Sequence, residues 1–341
     1  MNEKERLIEV LRIRQVDRPP CVCPMQTGTL DLMKASGAYW PDAHADPELM
    51  ARLALAAHDL AGLESVRVPF EVSVDASAFG AVTVDRKLRR GPIILSNRVP
   101  KREDFEAMEV PDPTRSGKVP TVLQAIRSLK GRVSDVPIIC GMVSPHMLAF
   151  QLIGDQTAKM DMYQDPVFLK AVIHKAKSFA ISFAVAASEA GADVITMVDA
   201  FASGDFLSPK QYQEFALPYQ AKVCKEVEKL GIPLILHICG NTTAILPMMA
   251  ETGANGISVD HEVEIAYAKM VCHGKAAVLG NICPSTTLLK GSPQEVTSAT
   301  MRCLEAGTDA VAPGCGLALE TPLANLKAMV EATKRFGIRG R

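Results

Sequence analysis

The chain has 341 residues, 48% of them hydrophobic and 22% charged, which are the proportions of a globular enzyme and exclude a disordered chain. Its 37 basic and 38 acidic residues give a formal net charge of -1, so there is no electrostatic footprint for nucleic acid, and the basic run 86–90 is too short to supply one. Nine scattered cysteines fit reduced thiols in a cytoplasm better than a disulfide framework, the charged start Met1-Asn2-Glu3-Lys4 has no signal-peptide core, and no apolar run reaches transmembrane length.

Residues 20–25 and 65–69 read as the first two strands. The stretch near residues 80–120 breaks the βα alternation and predicts an inserted loop or hairpin region over one end. From Pro137 onward, apolar runs at 137–143, 193–198, 233–239, 256–260, 276–281 and 309–313 alternate with helical patterns. Ser208-Pro209 with Gln211, and Ser292-Pro293 with Glu295, are capping-box starts with proline at the first helical position. Thr321-Pro322 opens a last helix that ends at Gly337. Glycines 191, 253 and 307 punctuate three similar helix-to-strand turns. Eight strands, each followed by a helix or a helix-sized gap, predict an α/β fold, a (β/α)8 TIM barrel, as a single domain over 1–341.

Reactive groups of such barrels sit at the C-terminal ends of the strands. His237-Ile238-Cys239 ends one strand, and side chains two apart on a strand share a face. Cys315 follows another strand in a Gly-flanked turn. One imidazole and two thiolates that converge make a three-ligand zinc site. Its open fourth position is the catalytic pattern, with a thiol as the natural ligand. Asp199, Asp260, Gln26 and Thr27 also lie at strand ends and should ring the same mouth. His146 ends a further strand, either as a pocket residue or as a surface or capping histidine. Cys21, Cys140, Cys224, Cys272, Cys283 and Cys303 read as small buried hydrophobes, and Cys21-Val22-Cys23 as core rather than a second metal pair. The charged stretch 222–229 reads as a solvated helix face.

His237-Ile-Cys-Gly-Asn-Thr242, Gly256-Ile-Ser-Val-Asp260, Leu279-Gly-Asn281 and Ala312-Pro-Gly-Cys-Gly316 with Thr321-Pro322 resemble the methylcobamide:coenzyme M methyltransferases of the uroporphyrinogen decarboxylase superfamily. Val16-Asp-Arg-Pro-Pro-Cys21 and Gln26-Thr-Gly28 fit the same pattern. The resemblance covers nearly the whole chain, with no corrinoid-binding domain appended. It implies a barrel of uroporphyrinogen decarboxylase type in which His237, Cys239 and Cys315 bind Zn2+. The zinc would bind the thiol of coenzyme M, and a separate methylated corrinoid protein, or methylcobalamin, would deliver the methyl group. The superfamily's decarboxylases are the competing reading. They hold a polycarboxylate with an arginine-rich N-terminal loop, where this chain has Met25-Gln-Thr-Gly-Thr-Leu30 without arginine.

A zinc-bound thiolate attacking the methyl carbon of a methyl-Co(III) corrinoid would leave Co(I). Asp260 or Glu262 can fill the fourth zinc position before substrate arrives, or accept the thiol proton; a rim carboxylate bonded to a backbone amide is the alternative. Asp199 is either a pocket acid or a helix N-cap. Tetrahydrofolate and homocysteine are alternative acceptors, and a non-catalytic barrel with a fully ligated zinc is a third reading. No arginine in the sequence marks a place for the coenzyme M sulfonate. The resemblance implies a monomer or a homodimer.

Overall fold

Short strands whose side chains are apolar on both faces need two covers, helices outside and a filled barrel inside. The computed structural model describes residues 1–86, 90–96, 103, 105 and 107–338. It lays down strand β1 (Val66–Val68), an antiparallel hairpin of β2 (Val82–Arg86) and β3 (Arg90–Ser96), then β4 (Ile138–Val143), β5 (Val194–Asp199), β6 (Leu234–Ile238), β7 (Gly256–Val259) and β8 (Ala277–Leu279). Strand β1 and strands β4 to β8 form one six-stranded parallel sheet in sequence order. Parallel bridges Cys21–Val311, Leu279–Ala310 and Ile282–Pro313 insert the two remaining predicted strands between β8 and β1. The Glu64 amide donates to the Cys21 carbonyl at 2.8 Å and closes the circle. Six and two make the eight strands of the predicted barrel.

The hairpin β2–β3 is the predicted inserted region. Residues 87–89, 97–102, 104 and 106 of that region, and with them most of the basic run 86–90, lie outside the described residues.

Strand parity separates the two cores. Val22, Ile139, Val194, Ile235, Ala277, Leu279, Ala310 and Ala312 face inward and pack on Leu7, Val10 and Leu11 of the first helix, Glu3–Leu11. That helix starts at an Asn2/Glu5 capping box and plugs the N-terminal end of the barrel. Each fully buried aliphatic side chain in the plug is worth about 1.5–3 kcal/mol. Neighbours of opposite parity, such as Ile138, Cys140, Met197 and Leu236, pack on the outer helices. The barrel is therefore sealed at one end, and only its C-terminal end can admit a ligand.

The predicted caps are in place at Ser208/Gln211 and Ser292/Glu295, and the last helix, Leu323–Phe336, stops at Gly337. Gly191 takes the left-handed φ of 111° that ends the 25-residue helix Pro166–Ala190. Among the described residues no helix is long and apolar enough to cross a membrane. The six cysteines read as core are all buried. The stretch 222–229 is held by ion pairs from Lys222 and Lys229 to Glu226 on the helix surface.

Candidate metal and substrate site

Strand β6 carries His237 inward, opposite Ser258 of β7. The imidazole is fully buried. Its Nδ1 lies 3.1 Å from the Ser258 carbonyl oxygen and 3.1 Å from Ser258 Oγ. A carbonyl can only accept, so Nδ1 carries the proton and the Nε2 lone pair faces the other way. Nε2 is 3.4 Å from Cys239 Sγ, and Cys239 Sγ is 3.6 Å from Cys315 Sγ. The ligand atoms of His237, Cys239 and Cys315 all lie within 4.8 Å of one another, the one such group of three or more among the described residues.

This donor set fits zinc. Two sulfurs about 2.3 Å from one tetrahedral ion would stand about 3.8 Å apart, close to the separation found. The pinned Nδ1 is the support that metal-binding histidines need. The hydrogen bond from Cys239, aided by His237, holds the Cys315 thiol far below its ordinary value, while the same pairing and burial push Cys239 up.

Both cysteine-bearing turns are fixed by their neighbours. Gly240 follows Cys239 at φ 71°, and its amide donates to Asp260 Oδ2 at 2.9 Å. Asp260 Oδ1 accepts from the His261 amide at 2.6 Å and also meets the His261 ring. Asn281 Nδ2 donates to the Asp260 carbonyl at 2.8 Å. A Cβ on Gly314 would lie 2.7 Å from the His261 nitrogen, so the turn carrying Cys315 presses directly on the Asp260 loop.

The other residues singled out from the sequence fall into different places. Asp260 is engaged by backbone amides, the alternative weighed for it, and lies outside the three-residue ligand group. Glu262 is exposed and is not brought to the thiols. Its place at a strand end does not aim its side chain inward. Asp199 is buried and accepts from Ser144 Oγ, from the Phe201 amide at 3.2 Å and from Gln220 Nε2 at 3.0 Å. It is thus the hub of a core network and not an open acid. His146 is buried with Nδ1 3.2 Å from Asp199, its ring against Phe150, and its Nε2 without a hydrogen-bond partner among the described residues. Gln26 lines the cavity described next, with Oε1 accepting from the Gly28 amide at 2.7 Å and Nε2 donating to the Leu317 carbonyl. Thr27 is buried and does not line it.

A cavity of about 350 Å³ opens beside the two thiols. Met25, Phe70, Val72, Met147, Val198 and Ala200 make most of its wall apolar, and Cys239, Cys315, Gln26, Arg67 and Glu71 supply polar groups. Sequence reasoning missed Arg67 and Ser258. The signal for Arg67 was present: a cation between two valines, Val66-Arg67-Val68, on a strand whose two faces are both buried.

The family model of uroporphyrinogen decarboxylase (URO-D) matches residues 2–336. The chain is 39% identical to the methylcobamide:CoM methyltransferase MtbA of Methanosarcina acetivorans over 334 residues, 98% of each chain. It is 38% identical to the methylcobamide:CoM methyltransferase MtaA of Methanosarcina barkeri over 336 residues, again 98% of each. Among solved structures it is similar to a methyltransferase from Methanosarcina mazei, with a TM-score of 0.95 at 36% identity, over 98% of this chain and 99% of the other.

Proposed function

The chain belongs to the uroporphyrinogen decarboxylase family, and from that premise we propose that it moves a methyl group from a methylated corrinoid to the thiol of coenzyme M, with His237, Cys239 and Cys315 as the ligands of a zinc ion. The observation that carries this reading is the convergence of one imidazole and two thiols at the open end of a barrel, beside a cavity of small-molecule size. The near-full-length identity to relatives named for this transfer supports it. Zinc at this site would hold an acceptor thiol as thiolate at neutral pH.

The chain's own residues do the rest. Ser258 fixes the His237 tautomer so that Nε2 stays available as a ligand. Asp260 holds Gly240, and through it Cys239, against the barrel rim. The apolar wall excludes water from a thiolate whose nucleophilicity hydration would blunt. The sealed N-terminal end leaves one mouth, so the methyl donor and the thiol must meet there. Decarboxylation of a polycarboxylate is disfavoured by Gln26, whose amide is engaged with Gly28 and Leu317 where that chemistry requires an anion clamp.

The test is methyl transfer from methylcobalamin to coenzyme M, followed by the cobalamin spectrum, with zinc content measured on the same sample. The wild type should bind one zinc and transfer; Cys239→Ala and Cys315→Ala should lose both. One zinc without transfer would retire coenzyme M as acceptor, and no zinc with no transfer would overturn the reading.

A further inference from the structure

Among the described residues Arg67 is the one arginine in the wall of the thiol cavity, and no carboxylate there forms an ion pair with it. It is 2% exposed, and its Nε and Nη1 have no hydrogen-bond partner among the described residues. Strand parity aims it into the barrel, because Val66 and Val68 on either side face the outer helices. Room for the guanidinium comes from Gly141 on β4, where a Cβ would lie 2.0 Å from Nη2 and 2.5 Å from Cζ. Any other residue at 141 would evict it.

A buried guanidinium is costly unless an anion meets it. The nearby carboxylates are engaged elsewhere. Glu71 takes Ser73 Oγ and Lys118 Nζ, the latter at 3.0 Å. Asp75 accepts from the Val143 amide at 3.3 Å, and burial pushes its carboxyl up to about 7, so it is a weak counter-charge at neutral pH. Burial also draws Arg67 down, but only to about 10, so it remains a cation. Apart from Glu71, whose charge is taken by Lys118, the wall around it is largely apolar, so an anion in the cavity would be the direct partner of the guanidinium. Cys239 and Cys315 line the same space.

We infer that Arg67 anchors an anionic group on the acceptor thiol, so that one end of the substrate is fixed by a charge-assisted fork and the other is presented at Cys239 and Cys315. The inference rests on the thiol-methyltransferase reading for what the second end does, but not for the binding of the anion. A planar, forked donor suits a tetrahedral sulfonate or a carboxylate, and a low-dielectric wall strengthens the pairing. Arg67 is then a specificity-determining residue: it selects thiols that carry a strong acid over neutral thiols of the same size.

Two measurements test this. In the first, ethanesulfonate, which has no thiol, is titrated into the zinc-loaded protein by calorimetry, with propionate as the carboxylate arm. The wild type should bind, and Arg67→Met should bind about 100-fold more weakly. Arg67→Lys, which keeps the charge without the fork, should fall between them. In the second, kcat/KM for methyl transfer is compared for coenzyme M, 3-mercaptopropionate and 2-mercaptoethanol. The preference for the charged thiols should collapse in Arg67→Met, mainly through KM, and the ranking of the two anions identifies which acid the site takes. Thermal melting and zinc content check that the variants are folded, and if Arg67→Met is not, Arg67→Lys decides. Equal ethanesulfonate binding by wild type and variant, no binding to the wild type, or an unmoved preference would overturn the inference. Arg67-dependent sulfonate binding with no transfer to any thiol would uphold the anion site and sink the methyltransferase reading instead.

Discussion

Removing the Asp260 carboxylate separates a positioning role from metal ligation. In Asp260→Ala two amides lose their acceptor, Gly240 at 2.9 Å and His261 at 2.6 Å. His261 is exposed and water replaces its partner at little cost. Gly240 is half-buried at φ 71°, next to Cys239. An unsatisfied amide there costs about 1–2 kcal/mol. Most of that cost falls on the ordered turn that presents Cys239, so it should appear as zinc affinity. At about 1.4 kcal/mol per tenfold, the dissociation constant should rise roughly 5- to 30-fold, within the range for groups that support metal ligands. Stoichiometry should stay at one zinc per chain. The assay is competition against a chromophoric chelator at fixed pH, with Asp260→Asn as the companion, since one remaining acceptor oxygen should restore part of the loss. An unchanged affinity would show that the Gly240 bond does not set the position of Cys239. A collapse beyond about 1,000-fold with loss of stoichiometry would make Asp260 a ligand and refute the positioning argument.

Gly141→Ala should displace the Arg67 guanidinium without touching its charge; overpacking of about 1–3 kcal/mol in urea denaturation should accompany loss of ethanesulfonate binding. Glu64 is fully buried and accepts from Arg6 Nη1 at 3.0 Å, from Arg18 Nη1 at 2.7 Å and from the Cys21 amide at 2.8 Å. Glu64→Gln leaves two guanidinium groups short of charge where the barrel closes, so the unfolding free energy should drop by about 3–5 kcal/mol, and a drop under 1 would count against the network. Asp75 has its carboxyl raised to about 7 by burial, so between about pH 4 and pH 7 the folded chain holds a proton that the unfolded chain has released. Its contribution to stability therefore falls as pH rises through that window, by up to about 1.4 kcal/mol per pH unit, and denaturation midpoints at pH 5, 6 and 7 should lose that slope in Asp75→Asn.

Most of the barrel was legible because its strands are buried on both faces and so stand out as apolar runs between capped helices. Segments 20–25 and 309–313 read as strands, yet they join the barrel through isolated bridges, and it is their position between β8 and β1, not a long ladder, that closes it. The hairpin β2–β3 was legible only as a break in alternation, since an insertion has no period tying it to the barrel. Convergence of His237 and Cys239 followed from the two-residue repeat. Ser258 did not: its role depends on register across β6 and β7, which no local pattern encodes.

Glu262 and Arg67 show where position along the chain and direction in space part company. Glu262 was singled out for lying just past a strand end, but past that end the two-residue alternation no longer holds, and its side chain points to solvent. Arg67 stands as a single charge inside an apolar strand, where a pattern of apolar runs gives it no role. Yet parity places it on the same inward face that His237 and Cys239 occupy on β6, and the missing side chain at Gly141, two strands' breadth of sequence away, makes its room. An arginine on the rim loops would be solvated. A site that excludes water to favour a thiolate must instead keep its cation inside the barrel, at a cost in folding stability that a bound anion offsets.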